Sequence, residues 1–415
     1  MNTGPGGGAT TLSAVDTLRS PATIRERCEN IATAIEAGGS PFFTLDPSRL
    51  DALAQRVLET MRSHARRNHA PDDARWLGLD AGGVDRMGDL SSRLADAIPA
   101  EQTRARVDLA IAVALLDASA GPTWHYEEGA SGQCFESTEG LAVAGFRAFM
   151  AGVLSSRSDE PLRVDGHALA RIDANTLAHV FQAHADNPLP DLEERAATLR
   201  RAGEAMMRDA IRFGADARPG GLFTRLGKVG KRQEIGATEL CHALLAGLSS
   251  VLPGAGAVGG EPLGDAWPHP LAGGEGDSAG WVPFHRLAQA MACSLLGPFE
   301  AAGVRVTGTE DLTGLADARN GSLFVDAEVI RLRDPGLDSR PLQIRDPAVV
   351  EWRALTVTLM DRLAMRVRAL TQLQAGEPSL ARIQLDGTWP LAEALARKRR
   401  AGAPALAVHT GGLPY

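Results

Sequence analysis

The sequence predicts a mainly α-helical globular protein with a few short β-strands. Apolar residues recur at helical spacing in several long segments, and some of these open with a helix start signal such as Ser20-Pro21. Strand signals are few and short. We therefore expect a single compound helical domain over residues 20–415, preceded by a flexible Gly-rich tail over residues 1–19.

Local signals place the helices along the chain. A Ser-Pro step at residue 20 and an Asp-Pro step at residue 46 predict the starts of the first two helices. Residues 101–120 are apolar on nearly all sides after Arg106, which is typical of a central helix enclosed by others. Further helices are predicted at residues 137–154, 175–185, 192–213 and 284–296, and after residue 388.

The β content is predicted to be small. Residues 304–307 and 323–332 are expected to form a hairpin or edge pair, and residues 405–410 a third short strand. Residues 253–278 are rich in Gly and Pro and predict a long loop.

Composition indicates a soluble cytoplasmic protein that acts on a small molecule. The 415 residues include 43 basic and 51 acidic side chains, for a net charge of −8, and they form no long basic stripe, so nucleic acid is not an expected partner. No apolar run nears the roughly 20 residues of a membrane span, and no secretory signal opens the chain. Four well-separated cysteines suit a reducing compartment. A homo-oligomer remains compatible with this composition.

The sequence lacks the motifs of several large enzyme classes. It contains no GxGxxG after a strand, no Walker loop, no GxSxG elbow and no HExxH. Carboxylates and a histidine are therefore the groups from which a catalytic site would be built.

The densest group of polar side chains follows the predicted strand at residues 304–307. Glu310 and Asp311 come directly after it, a placement that can point a carboxylate into a pocket, and Asp317, Arg319 and Asn320 follow in a loop. The alternative is that these are turn residues that satisfy local amides, and that the Asp and Arg pair with each other.

A His-Arg pair opens the helix predicted at residues 284–296. His285 and Arg286 lie in its first turn, where unpaired backbone amides attract phosphate or another anion, and Gln289 follows on the same helix. His285 could bind an anion or donate a proton, and it could equally be a packed or capping residue.

Two aromatic segments are expected to meet this region in space. Trp124 and Tyr126 follow the central helix and could form a pocket wall, with Glu139 entering from the next helix. Asp386 precedes Trp389 by three residues and places a carboxylate next to an aromatic wall. The alternative for this last segment is an N-cap of the final helix.

Five long segments resemble a known family. They read VDLAIAVALLDASAGPTWHY, STEGLAVAGFRAFMAG, WVPFHRLAQAMACSLL, DLTGLADARNGSLFVD and DPAVVEWRALTVTLMDRLA. In these segments the sequence is similar to the uracil-catabolism proteins of the URC route of pyrimidine breakdown, a family formerly described as a domain of unknown function. The likeness covers nearly the whole chain after the Gly-rich tail. It implies a role in a pathway that passes through a ribosylurea toward urea.

A second, more distant resemblance concerns mechanism. The segment LAHVFQAHADNPLPDLEERAATLRRAGEAM is similar to part of the queuosine-nucleotide N-glycosylase (queuosine salvage) family. PFHRLAQ followed by EDLTGLADAR has the helix-then-acidic-loop order of that family, and the stretch before Trp389 resembles its acidic aromatic motif. Those enzymes resemble DNA glycosylases and cleave a ribose N-glycosidic bond, so the resemblance implies a helical fold of that kind. Where they tend to carry a Lys, this chain has His285.

Together the resemblances imply hydrolysis of the N-glycosidic bond of an N-ribosylurea, expected as its 5′-phosphate, without a metal or cofactor. The carboxylate that stabilises the oxocarbenium-like transition state is expected to be Glu310, Asp311 or Asp386. The expected substrate-binding residues are His285, Arg286, Gln289, Asp317, Arg319, Asn320, Trp124, Tyr126, Glu139 and Trp389.

Two alternatives remain at this point. One is an amidohydrolase, metal-dependent or metal-free, that acts on a ureido intermediate of uracil breakdown. The other is a non-catalytic protein that binds a nucleotide or another enzyme of the pathway.

Overall fold

Helices form most of the fold in the computed structural model, which describes residues 13–65, 77–228, 233–252, 254–371 and 377–411. The mainly α prediction is confirmed. The helices are α1 Ala14–Leu18, α2 Pro21–Glu36, α3 Leu50–Ala65, α4 Arg86–Arg93, α5 Pro99–Leu116, α6 Ser137–Met150, α7 Gly166–Leu169, α8 Ala174–Val180, α9 Leu192–Arg208, α10 Ala210–Phe213, α11 Gly221–Lys228, α12 Ala237–Leu248, α13 Arg286–Ser294, α14 Leu296–Ala301, α15 Ala318–Asp326, α16 Pro347–Thr371, α17 Leu380–Ile383 and α18 Trp389–Arg400.

The predicted helix starts agree with the capping chemistry. Ser20 caps α2, with its side chain accepting a hydrogen bond from the amide of Ala22, and Pro21 takes the first helical position, where a missing N–H costs nothing. The Asp-Pro step at residue 46 starts a 3₁₀ turn, Pro47–Arg49, and α3 follows directly. A π-helical turn, Gln384–Thr388, joins α17 to α18.

The strands are short and pair two by two. Antiparallel pairs join β1 Phe43–Leu45 with β10 Ile330–Leu332, β2 His125–Glu128 with β3 Gln133–Glu136, β5 Ala257–Val258 with β6 Glu261–Pro262, and β7 Ala266–Pro268 with β8 Trp281–Pro283. Parallel pairs join β4 Glu234–Gly236 with β9 Arg305–Thr307, and β11 Leu342–Gln343 with β12 Val408–His409.

The predicted hairpin of residues 304–307 and 323–332 is wrong. Its first strand pairs with β4 and its last residues pair with β1, while residues 323–326 belong to helix α15. The helix forms because Asp317 caps it: the Oδ1 atom accepts a hydrogen bond from the backbone amide of Asn320 at 2.7 Å. The strand predicted at residues 405–410 is present as the short β12.

Part of the segment predicted to be a flexible tail is helical. Residues 14–18 form helix α1, in which Val15 and Leu18 are buried. These two side chains pack against Leu263 and Ala266 and bury enough apolar surface to order a short segment. Residues 1–12 lie outside the described residues.

The described residues contain two large hydrophobic cores. The first contains side chains of α5, α6, α9, α12 and α13, with α5 enclosed as predicted: every residue from Val107 to Leu116 is buried. The second contains side chains of α2, α3, α15 and α16. A small cluster of Leu315, Leu385 and Trp389, packed with Ala290, joins elements of both cores. The single compound domain stays a prediction.

Within the described ranges, no helix is both long enough and apolar enough to cross a membrane.

Candidate active site

A cavity of about 270 Å³ opens where elements of the two cores meet. Its walls come from the end of α3, the loop before α4, the end of α5, the first turns of α6 and α18, and parts of α13 and α15. Apolar side chains such as Leu287 and Leu385 form part of the lining. Its charged and aromatic lining residues include Asp80, Asp117, Glu139, Arg319, Trp389 and Glu393.

Arg319 and Trp389 form one wall of the cavity. The guanidinium of Arg319 lies over the indole ring at 4.0 Å from the ring centroid, and its Nη1 donates a hydrogen bond to Glu393 Oε1 at 3.5 Å. Desolvation opposes the charged guanidinium, but the carboxylates of Asp317, Glu393 and Asp117 outweigh it and raise the pKa of Arg319. This wall therefore presents a fixed positive charge with hydrogen-bond donors.

Asp317 holds the indole in place. Its Oδ2 accepts a hydrogen bond from Trp389 Nε1 at 3.0 Å, while its Oδ1 caps α15. Asn320 extends this connection, because its Oδ1 accepts a hydrogen bond from Thr388 and its Nδ2 donates to Gln384. These buried hydrogen bonds fix the start of α15 to the π-helical turn, and hence Arg319 to Trp389.

Glu139 lies in the first turn of α6 and lines the cavity. Although it is accessible to solvent, partial desolvation by the surrounding protein raises the pKa of this carboxyl, and the like charges of Glu393 and Asp80 raise it further against the opposing effect of nearby arginines. A raised pKa allows Glu139 to keep its proton to a higher pH than an ordinary glutamate does.

Asp117 directly follows the last residue of α5 and lines the cavity. Its Oδ2 accepts a hydrogen bond from Arg286 Nη2 at 3.2 Å. Arg286 is buried, and its Nε and Nη1 atoms have no hydrogen-bond partner among the described residues. The contact with Asp117 is therefore the polar anchor that the structure gives this guanidinium, and it fixes the carboxylate on the cavity wall.

His285 does not line the cavity. Its ring is fully buried, its Nε2 lies 2.9 Å from the carbonyl oxygen of Leu18, and its backbone adopts the left-handed conformation with φ of 47°. Burial lowers the pKa of His285 to about 4 despite the opposing charge of Asp265. The predicted anion site at this helix start is covered by α1. Gln289 is also buried, where its amide donates to the Thr313 hydroxyl and to the Phe284 carbonyl.

The three carboxylates predicted as catalytic lie outside the cavity lining. Glu310 and Asp311 are exposed on a 3₁₀ turn, and their backbone carbonyls accept hydrogen bonds from Arg25. Asp386 is buried in the π-helical turn, where it forms an ion pair with Arg382. Arg25, which is far away in sequence, holds the backbone of Glu310 and Asp311, whereas the ion-pair partner of Asp386 lies four residues before it in the same segment.

Trp124 and Tyr126 also lie away from the lining. The indole Nε1 of Trp124 donates to the Phe181 carbonyl at 2.9 Å, and both aromatic rings belong to the first hydrophobic core. Of the residues predicted to bind substrate, the cavity brings together Glu139, Arg319 and Trp389.

Several lining residues were not predicted: Asp80, Asp117, Glu393 and His64. Glu393 had a detectable signal, because it follows Trp389 by four residues in a helix and so shares its face. Asp117 had a weaker one, as the first carboxylate after a wholly apolar stretch of helix. Asp80 and His64 carry no distinguishing local pattern.

The carboxylates are spread over the cavity wall rather than gathered at one point. In the part of the chain that the structure describes, no group of three His, Cys, Asp or Glu side chains is arranged to hold a metal ion.

The sequence matches one protein family and two curated relatives over nearly its full length. Residues 17–413 match the family described as "Protein of unknown function (DUF1688)". The chain is 32% identical over 400 residues to "Protein urg3" of Schizosaccharomyces pombe, and the aligned region covers 94% of this chain and 96% of that protein. It is 29% identical over 439 residues to "Uracil catabolism protein 4" of Lachancea kluyveri, and the aligned region covers 97% of this chain and 99% of that protein.

Proposed function

Because this chain belongs to the DUF1688 family and is similar over nearly its whole length to a yeast protein named for uracil catabolism, we propose that it acts in that pathway. The reaction we propose is hydrolysis of the N-glycosidic bond of an N-ribosylurea, which releases urea and a ribose. This is the activity that the resemblance to ribosyl N-glycosylases implies.

The cavity is the observation that supports this reaction. Loss of an N-linked leaving group from ribose builds positive charge on the sugar, and carboxylates near the anomeric carbon stabilise that charge. Four of the charged lining residues are carboxylates, and one of them, Glu139, has a raised pKa. A group with a raised pKa can hold the proton that the leaving nitrogen needs.

In the proposed mechanism, Glu139 protonates the urea nitrogen as the bond between that nitrogen and C1′ breaks. The electron pair of the bond leaves with urea, and the ribosyl cation forms opposite a carboxylate. Asp117, positioned by Arg286, orients a water molecule and takes its proton as the water oxygen bonds to C1′. Proton exchange with solvent then restores Glu139 and Asp117.

Arg319 is proposed to bind the substrate rather than to transfer a proton. Its guanidinium donates hydrogen bonds to the urea carbonyl or to ribose hydroxyls, and the cation–π contact with the Trp389 ring holds the guanidinium at the wall. Asp317 acts through Trp389 and is a positioning residue.

The test is urea release by the purified protein from N-ribosylurea and, separately, from its 5′-phosphate. We expect a urease-coupled signal with at least one of them, and a kcat for Glu139→Gln that is lower by about 100-fold to 10,000-fold, the usual contribution of a general acid. The fall of kcat at alkaline pH should also be lost in this variant, because that fall reports deprotonation of Glu139.

Glu300→Gln is the matched control, since Glu300 is an exposed glutamate on α14 that does not line the cavity. It should leave kcat unchanged. Release of ammonia without urea would instead indicate an amidohydrolase, and no product from either substrate would contradict catalysis on ribosylurea.

A further inference from the structure

The charge of the cavity wall bears on which form of the substrate fits. Its described lining includes the carboxylates of Asp80, Asp117, Glu139 and Glu393, against one guanidinium, that of Arg319, and one imidazole, that of His64. From this imbalance we infer that the cavity selects an uncharged ribosyl substrate and discriminates against a 5′-phosphate, with Asp80 and Glu393 as specificity determinants. The inference rests on the proposed function.

Among the described residues, Arg319, Arg286 and Arg397 each interact with a carboxylate of the cavity wall. Arg319 donates to Glu393 at 3.5 Å, and Arg286 donates to Asp117 at 3.2 Å. Arg397 forms an ion pair with the other oxygen of Glu393 at 3.4 Å. Phosphate recognition by arginine normally uses two parallel hydrogen bonds from a guanidinium that is not already neutralised. A phosphate bound by one of these three arginines would have to displace the carboxylate that it already contacts.

The helix start at the cavity is also occupied by negative charge. The first turn of α6 could attract an anion through its backbone amides, but Glu139 itself lies in that turn and lines the cavity. A phosphate monoester carries a charge of about −1.5 to −2 at neutral pH, so it would be repelled by the same carboxylates that suit a ribosyl cation.

The carboxylates that would repel a phosphate interact with one another. Desolvation is the main cause of the raised pKa of Glu139, and the negative charges of Glu393 and, more weakly, Asp80 raise that pKa further. The phosphate of a phosphorylated substrate would be repelled by the same carboxylates, whereas the hydroxyl groups of an unphosphorylated ribose can donate hydrogen bonds to them. The wall therefore favours a neutral polyhydroxyl ligand by both attraction and exclusion.

The test compares kcat/KM of the full-length protein for N-ribosylurea and for its 5′-phosphate. We expect the unphosphorylated substrate to be favoured by about tenfold or more at low ionic strength, because screening is weakest there. The value for the phosphorylated substrate should rise with added salt, while that for the neutral substrate should stay level. Ribose should likewise inhibit more strongly than ribose 5-phosphate.

Variants identify the carboxylates responsible. Asp80→Asn removes one wall charge and should reduce the preference for the neutral substrate by about threefold, the scale expected for one partly screened charge. Glu393→Gln provides the same test if the first variant does not fold. Glu300→Gln, outside the cavity, should leave the preference unchanged.

The outcomes separate this inference from the proposed function. Equal use of the two substrates, or a preference for the phosphate, would overturn the charge selection and leave the N-glycosidase proposal standing. Failure of both substrates to release urea would overturn the N-glycosidase proposal itself.

Discussion

Among single residues, His285 shows how burial changes the meaning of a sequence signal. The imidazole is fully enclosed, with its Nε2 against the Leu18 carbonyl and its Nδ1 without a hydrogen-bond partner among the described residues. Because desolvation lowers its pKa to about 4, the folded protein keeps this ring neutral at pH values where an exposed histidine is protonated. Its role is to connect α13 to α1.

This burial predicts a pH dependence of stability. The folded-state pKa of about 4 lies below the unfolded value of about 6.5, so the unfolded chain binds a proton that the folded chain does not. The stabilisation is fully present above pH 6.5 or so and is lost as the pH falls toward about 4, by roughly 1 to 3 kcal/mol in total. Urea denaturation at pH 7 and pH 4.5 measures this loss.

His285→Asn is the comparison for that measurement. Asparagine tolerates the left-handed backbone at this position and does not titrate. The loss of stability between pH 7 and pH 4.5 should be smaller in the variant than in the wild type. Equal losses in both proteins would show that the imidazole does not control this part of the pH dependence.

Among the elements, the π-helical turn Gln384–Thr388 positions one wall of the site. It carries Leu385 into the cavity wall and sets the start of α18, from which Trp389 and Glu393 point into the cavity. The turn also packs against α3: a Cβ atom placed on Gly387 would lie 2.7 Å from Val57 Cγ1 and 2.8 Å from Met61 Cγ. Close approach to α3 therefore requires glycine at this position.

Gly387→Ala should destabilise the protein by roughly 1 to 3 kcal/mol, the range for overpacking a buried site. It should also raise KM, because the turn positions Trp389. Gly227→Ala is the control: it lies in helix α11, and among the described residues an added Cβ would contact only Phe223 Cε2, at 3.9 Å. That variant should be neutral or stabilised by up to about 1 kcal/mol. Thermal denaturation and substrate kinetics of both proteins test the contrast.

In the whole molecule, the cavity depends on the meeting of two hydrophobic cores. Asp117 follows a helix of the first core, whereas Arg319 belongs to a helix whose apolar side chains lie in the second. Asp117 is close enough to contribute to the raised pKa of Arg319. A ligand in the cavity would contact both, so substrate binding should stabilise the contact between the cores.

A double-mutant cycle measures this link. The effects of Asp117→Asn and Arg319→Gln on kcat/KM should be non-additive by about 0.5 to 1.5 kcal/mol, because residues that share one site and one ligand are coupled. The pair Arg319→Gln and Glu300→Gln should be additive within about 0.5 kcal/mol, since Glu300 lies outside the cavity. Additivity in both cycles would mean that the two walls do not act on a common ligand.

Local sequence patterns were sufficient for much of the architecture. The Ser-Pro start at residue 20 and the enclosed helix α5 depend on neighbouring residues alone, and both agree with the structure. The hairpin predicted near residue 323 was wrong because a single capping contact, from Asp317 to the amide of Asn320, favours a helix over strand-like residue composition.

The sequence by itself determined that the protein is mainly α-helical. It also identified Glu139, Arg319 and Trp389, which line the cavity, among the candidate site residues. Only the tertiary structure decided which carboxylates face the cavity. Glu310 and Asp311 point to solvent, and Asp386 pairs with Arg382, whereas Asp80 and Asp117 line the wall. The physical reason is range: helix periodicity, capping and the pair of Asp386 with Arg382 act over a few residues, while desolvation and the meeting of Asp80 and Asp117 on one wall depend on contacts between segments far apart in the chain.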